Sequence, residues 1–285
     1  MRSRADAVSE DAYEQGEAPR VDPRTGEVLW VDIKAGTVYR ARLESGILRV
    51  VARYEVGSRV GALAPLREPG AGWVMAVQDG FAHLAEDGLV TPLVTGLVAG
   101  QDQMNDGVCD PAGRFWAGSQ AIPREPRAAL FRLAADGSVE RVLESVTVSN
   151  GIGFTADGAT MYYVDTLPHR RLEAFDVVGG ELSGRRPVAE VAGGNPDGLA
   201  VDDEGCVWVA VWDGAAVHRY APDGRLLATV ELPVPRPTAV CFAGSTLLIT
   251  TAWLGLDPAP AGSGRLYAID AGVGGPPAAT WAGAL

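Results

Sequence analysis

The stretch Asn195-Pro-Asp-Gly-Leu-Ala-Val-Asp-Asp-Glu-Gly-Cys-Val-Trp-Val-Ala-Val211 decides the fold. It reads as a polar loop, a strand, a tight turn at Asp203-Glu204-Gly205 and a second strand. In the second strand Val207, Val209 and Val211 point one way and Trp208 and Ala210 the other, which is the period-two signature of a sheet. Asp197 stands at the mouth of the first strand, eight residues before the turn glycine.

The same pattern recurs along the chain. A turn glycine precedes a β-branched or aromatic-rich strand at Gly26, Gly72, Gly113, Gly158, Gly205 and Gly244. These glycines are 39 to 47 residues apart, close to the length of a four-stranded propeller blade. A third strand follows in each unit, as in TVYRARL (37–43), AVHRYAPD (216–223) and RLYAID (265–270). Several units then carry a hairpin signal such as Asp136-Gly137 and an outer strand such as VERVLES (139–145). No stretch has a helical period. Six units predict an all-β, six-bladed β-propeller with four-stranded blades, as one domain over residues 1–285. A β-sandwich of irregular hairpins is the other arrangement of such strands. Closing the ring calls for residues before Glu17 to add an edge strand beside RLYAID. The Gly/Pro/Ala-rich tail after Asp270 is expected to pack irregularly.

Composition narrows the function. A net charge of −12 argues against nucleic acid and anionic membrane surfaces, both of which need basic patches. No segment approaches the ~20 apolar residues of a membrane helix. The first fifteen residues hold no apolar run, so no secretory signal is expected and the protein is expected to be cytoplasmic. Three cysteines, Cys109, Cys206 and Cys241, are too few and odd in number for a disulfide framework and read as reduced packing residues. His83, His169 and His218 are scattered, which disfavours a histidine zinc site.

Counting back eight or nine residues from each turn glycine gives the residue where the innermost strand enters the ring. Those slots hold Glu17, Ala64, Asn105, Asn150, Asp197 and Arg236. By pseudo-symmetry they converge on the axis. Two carboxylates and two amides make an oxygen-only cage suited to a hard divalent cation such as Ca²⁺, Mg²⁺ or Mn²⁺. Asn-Gly and Asp-Gly pairs also make turns on their own account, but Glu17 is followed by no glycine. Trp30, Trp73, Trp116, Trp208 and Trp281 read as core, while Trp212 and Trp253 are placed either in the core or at the channel mouth.

At these residues the chain resembles the SMP-30/gluconolactonase/regucalcin-like family. The similarity runs through GEAP (16–19) with LWVDI (29–33), MNDGVCDPAGRFWAGS (104–119), VSNGIGF (148–154) with MYYVDT (161–166), and NPDGLAVDDEGCVWVA (195–210). The resemblance implies a six-bladed propeller that hydrolyses sugar lactones with one divalent cation, Ca²⁺ first among Ca²⁺, Mg²⁺, Mn²⁺ and Zn²⁺. It implies Glu17, Asn150 and Asp197 as metal ligands, Asn105 as a contact to the bound water or substrate, and Asp197 as the proton acceptor and donor. Where the family often has an arginine for the sugar, this chain has Gln103, expected to reach the substrate. A substrate-contacting glutamate of the family has no clear match in QAIPREP (120–126), where Glu125 is the one substitute. The partner implied is a small lactone. A metal-stabilised propeller that only binds, or a hydrolase of another ester or phosphoester at the same cation, are the alternatives.

Overall fold

A computed structural model describes residues 2–284 of the chain. Six sheets form a β-propeller, and each sheet runs outward from an innermost strand at the axis. The innermost strands are Gly16–Val21, Val60–Pro65, Gln103–Cys109, Ser149–Phe154, Asn195–Val201 and Pro237–Ala243, for blades 1 to 6. All six turn glycines have positive φ, from 61° to 87°, the left-handed conformation that glycine adopts without a Cβ clash.

The second strands are buried on both faces. In Val207–Trp212 the side chains of Val207, Val209 and Val211 pack with Tyr162, Val164 and Leu172 of blade 4. Trp208 and Ala210, on the opposite face, pack with Leu247 and Ile249 of blade 6. The period-two alternation therefore separates two neighbouring blades, where in a half-solvated sheet it would separate core from water. Trp30, Trp73, Trp116 and Trp281 are fully buried and Trp208 nearly so. Several of these indoles are tied to a turn. Trp116 Nε1 donates to Asp110 Oδ2 at 2.8 Å and Trp208 Nε1 to Asp202 Oδ2 at 2.9 Å, while each aspartate also holds backbone N–H groups of its turn.

The N-terminal residues close the ring. Asp6–Ala7 pairs antiparallel with Tyr267–Asp270 and supplies the fourth strand of blade 6. Just before it, Arg2–Arg4 pairs in parallel with Leu226–Glu231 as a fifth strand on blade 5, a feature the sequence pattern did not announce. The tail is irregular, as its composition predicts. It crosses to blades 2 and 3, where Trp281 N donates to Pro65 O at 2.8 Å and Ala282 N to Gly113 O at 2.9 Å. The three cysteines are free thiols, two buried and Cys241 half-buried.

Candidate functional site

Every innermost strand carries a β-bulge near its start, and the bulge aims the site residues. In blades 3, 4, 5 and 6 two residues of the innermost strand oppose one of its neighbour, at 105–106, 150–151, 197–198 and 238–239. Asn105, Asn150 and Asp197 are the first residues of their bulges. In blade 1 the bulge is 18–19, so Glu17 stands one residue ahead of it and accepts Ala18 N–H on Oε2 at 3.2 Å. Ala18 has φ 47°, a strained value for alanine beside a site residue.

This register corrects two of the six slots. Blade 2 has a longer turn before its glycine and blade 6 a shorter one, so a constant spacing misses the bulge there. Ala64 pairs with Val74 in the regular ladder and Arg236 precedes its strand. The bulge positions are Gly61 and Thr238. Thr238 is fully buried, and its Oγ1 donates to Gly16 O at 2.6 Å, steadying the residue before Glu17.

Glu17, Asn105, Asn150 and Asp197 are all buried and line one polar cavity of about 290 Å³ at one end of the axial channel. Asn105 Nδ2 donates to Asn150 Oδ1 at 2.8 Å and to Ser149 O at 2.8 Å, which spends both amide hydrogens and leaves its Oδ1 for another partner. Asn150 Nδ2 donates to Thr166 Oγ1 at 2.7 Å, and Thr166 Oγ1 donates to Pro196 O at 2.9 Å, beside Asp197. Burial, then the Asp197 and Asp106 carboxylates, push Glu17 well above the ordinary carboxylate range. Burial and Asp106 do the same to Asp197, against the opposing pull of Arg124 and of the Gly198 N–H. Neither carboxylate has a cation in ion-pair contact among the described residues. A buried pair of like charges without a counter-charge is costly, and a bound divalent cation removes that cost. The donor set of two carboxylates and two amides fits a hard cation. No group of three or more His, Cys, Asp or Glu side chains poised to hold a metal occurs among the described residues.

Asp106 is the acid that sequence reasoning passed over, because Asn105-Asp106-Gly107 reads first as a turn. Its own pKa is raised by burial, against the pull of Arg20 and the Gly107 N–H. Arg20 reaches from blade 1 to blades 2 and 3, donating to Leu63 O at 2.7 Å and to Gly107 O. It also lines a second, more apolar cavity at the opposite end, which residues 276–279 of the tail border.

Gln103 does not line the first cavity. It is fully buried, and its Oε1 accepts a hydrogen bond from the Arg59 guanidinium. Glu125 is turned to Arg127 in an exposed ion pair, while its neighbour Arg124 lines the cavity. Trp212 also lines it, with Arg236 4.8 Å above its ring, whereas Trp253 is exposed outside. Lys34 of blade 1 completes one side of the lip.

A six-bladed propeller with an oxygen-rich centre at one end of its axial channel defines a class of small-molecule sites built on pseudo-symmetry. Within that class the chain belongs to the SMP-30/Gluconolactonase/LRE-like family, whose model matches residues 15–253. It is 36% identical over 269 residues to regucalcin from Danio rerio, covering 89% of this chain and 88% of that protein. It is 35% identical over 246 residues to a 6-deoxy-6-sulfogluconolactonase from Pseudomonas putida, covering 83% and 82%. Its fold superposes on the crystal structure of a calcium-binding protein, regucalcin, from Agrobacterium tumefaciens with a TM-score of 0.89 at 26% identity, covering 99% of this chain and 98% of that one.

Proposed function

We propose that the protein is a divalent-metal-dependent lactonase that opens a sugar lactone. The observation that carries this is the buried, uncompensated pair Glu17 and Asp197, set with two amides in one small polar cavity. Family membership and a relative named as a lactonase support the substrate class.

Glu17, Asn150 and Asp197 would hold the cation, with Ca²⁺ the first candidate. A bound divalent cation supplies Lewis-acid polarisation of a carbonyl and lowers the pKa of water. Asp197 accepts a proton from the attacking water as its oxygen bonds to the lactone carbonyl carbon. As the ring C–O bond breaks, Asp197 returns that proton to the departing alkoxide, and a hydroxy acid leaves. Asn105 orients water or substrate through its Oδ1, because its amide hydrogens are already committed. Trp212 offers a ring face at the lip for a sugar to stack on.

The test is hydrolysis of gluconolactone, xylonolactone, arabinolactone and dihydrocoumarin after chelation and after adding back Ca²⁺, Mg²⁺, Mn²⁺ or Zn²⁺ singly. The expected result is turnover that disappears with chelator and returns with at least one ion. Undiminished turnover in chelator overturns the metal requirement, and no turnover of any lactone with any ion overturns the lactonase assignment.

A further inference from the structure

The chain has one lysine, and that lysine lines the cavity. Lys34 follows the second strand of blade 1, where Asp32 Oδ1 accepts its backbone N–H at 3.2 Å. Many arginines elsewhere are tied into ion pairs, such as Arg40–Glu27 at 2.7 Å, Arg114–Asp110 at 2.6 Å and Arg219–Asp202 at 2.7 Å. Lys34 and Arg124, on the cavity wall, have no ion-pair partner among the described residues. Around Lys34 the charged groups are Arg59, which opposes its protonation along with burial, and Glu14, which favours it. The cavity thus has two poles. Glu17 and Asp197 make the deep end the cation-binding pole, and Lys34 and Arg124 make the lip positive.

We propose that Lys34, with Arg124, selects substrates that carry an anionic group remote from the ester: a carboxylate, sulfonate or phosphate on the lactone. This rests on the lactonase assignment and names its substrate class. An anion is attracted by the lip, whose two cations have no carboxylate partner of their own among the described residues, so the neutral ester end is the one turned inward to the cation-binding floor. The volume of about 290 Å³ is at the small end for ligand sites, so one small ring with its substituents spans both poles. An ammonium on a flexible stem acts as a point charge and accepts any of the three anions, with no demand for fork geometry.

The test is calorimetric titration of 1,5-anhydroglucitol, a ring with no ester to hydrolyse, and of its 6-phosphate into the protein with CaCl₂ present. Alongside it, kcat/KM is measured for glucono-δ-lactone and for its 6-phospho, 6-deoxy-6-sulfo and 6-carboxylate analogues, which separate the three anions. Wild type is expected to favour the phosphorylated ring by about tenfold, the scale of one hydrogen bond to a charged group. Lys34→Ala and Lys34→Met should cut that preference to less than about threefold, Lys34→Arg should keep most of it, and raising NaCl should narrow it. Equal affinity of wild type for the two rings overturns the proposal, as does a preference that survives both Lys34→Ala and Lys34→Met. A lysine-dependent preference in titration without turnover of any lactone upholds the anion site and overturns the lactonase assignment instead.

Discussion

Asn105 of blade 3 donates its amide to Asn150 Oδ1 of blade 4 at 2.8 Å. The hydrogen bonds continue from Asn150 to Thr166 at 2.7 Å and from Thr166 to Pro196 O at 2.9 Å, one residue before Asp197. Three of the four site residues are therefore fixed by one line of bonds crossing three blades. Thr166 is its middle, and its hydroxyl both accepts and donates.

Thr166→Val keeps the shape and removes both bonds. It leaves Asn150 Nδ2 and Pro196 O unpaired in a buried place, at a cost of about 1–3 kcal/mol for each. The melting temperature should fall and cation affinity should weaken by about tenfold, while Thr166→Ser should preserve both. Calorimetric cation titration checks this. A valine variant that binds the ion as wild type does would mean that the line of bonds does not orient Asn150.

Asp106→Asn should act in opposite directions on the two states of the site. Asp106 raises the pKa of both Glu17 and Asp197 by repulsion. Removing its charge should raise the melting temperature of the chelated protein and weaken cation binding. Thermal scans in chelator and a cation titration read the two effects separately. A variant less stable than wild type in chelator would assign Asp106 a structural role through its bond to Gly107 N.

Asp197→Asn should lower kcat/KM on any lactone that wild type hydrolyses by at least about a hundredfold, within the range of general acid–base groups. It should also weaken cation binding, since it removes one of two charged donors. Turnover at saturating ion separates the two losses. Wild-type kcat at saturation would exclude Asp197 as the base.

The pH dependence of stability has a definite sign. Glu17 and Asp197 have folded pKa values above their ordinary 4.5 and 3.8. Between those values and the raised ones the folded chain binds more protons than the unfolded one, so these groups make stability fall as pH rises. Added cation competes with the protons, so its stabilising effect should grow from pH 5 to pH 8 and binding should release protons. Thermal scans with chelator and with CaCl₂ at both pH values check this. A cation effect that shrinks with rising pH would place the ion elsewhere.

Much of this architecture was legible because a propeller repeats its sequence along with its structure. The turn glycines, the double-faced second strands and the four polar slots all recur with blade length. What was not legible depends on turn length within a blade and on bonds between blades. Ala64 and Arg236 were mistaken for slots because turn length differs in blades 2 and 6, and only the bulge register identifies Gly61 and Thr238. Gln103 was expected at the substrate from the family resemblance, and what sequence could not show is that Arg59 from the preceding blade bonds its Oε1 away from the cavity lining. Asp106 was hidden by its own turn motif, and Lys34 by lying on the connection between second and third strands, which the search for repeated slots did not cover.

The closure by Asp6–Ala7 has a consequence for how the protein is made. Its partner Tyr267–Asp270 emerges from the ribosome about 260 residues later, roughly 13–50 s at ordinary elongation rates. Until that interval ends blade 6 is incomplete, and Asp6–Ala7 has no strand to pair with. Arg2–Arg4 can dock earlier, once blade 5 has been translated, because its partner is Leu226–Glu231. Docking there would hold the closing strand next to its place in the ring until blade 6 is complete. Loss of Arg2–Arg4 should therefore cost refolding yield more than it costs the stability of rings that have closed.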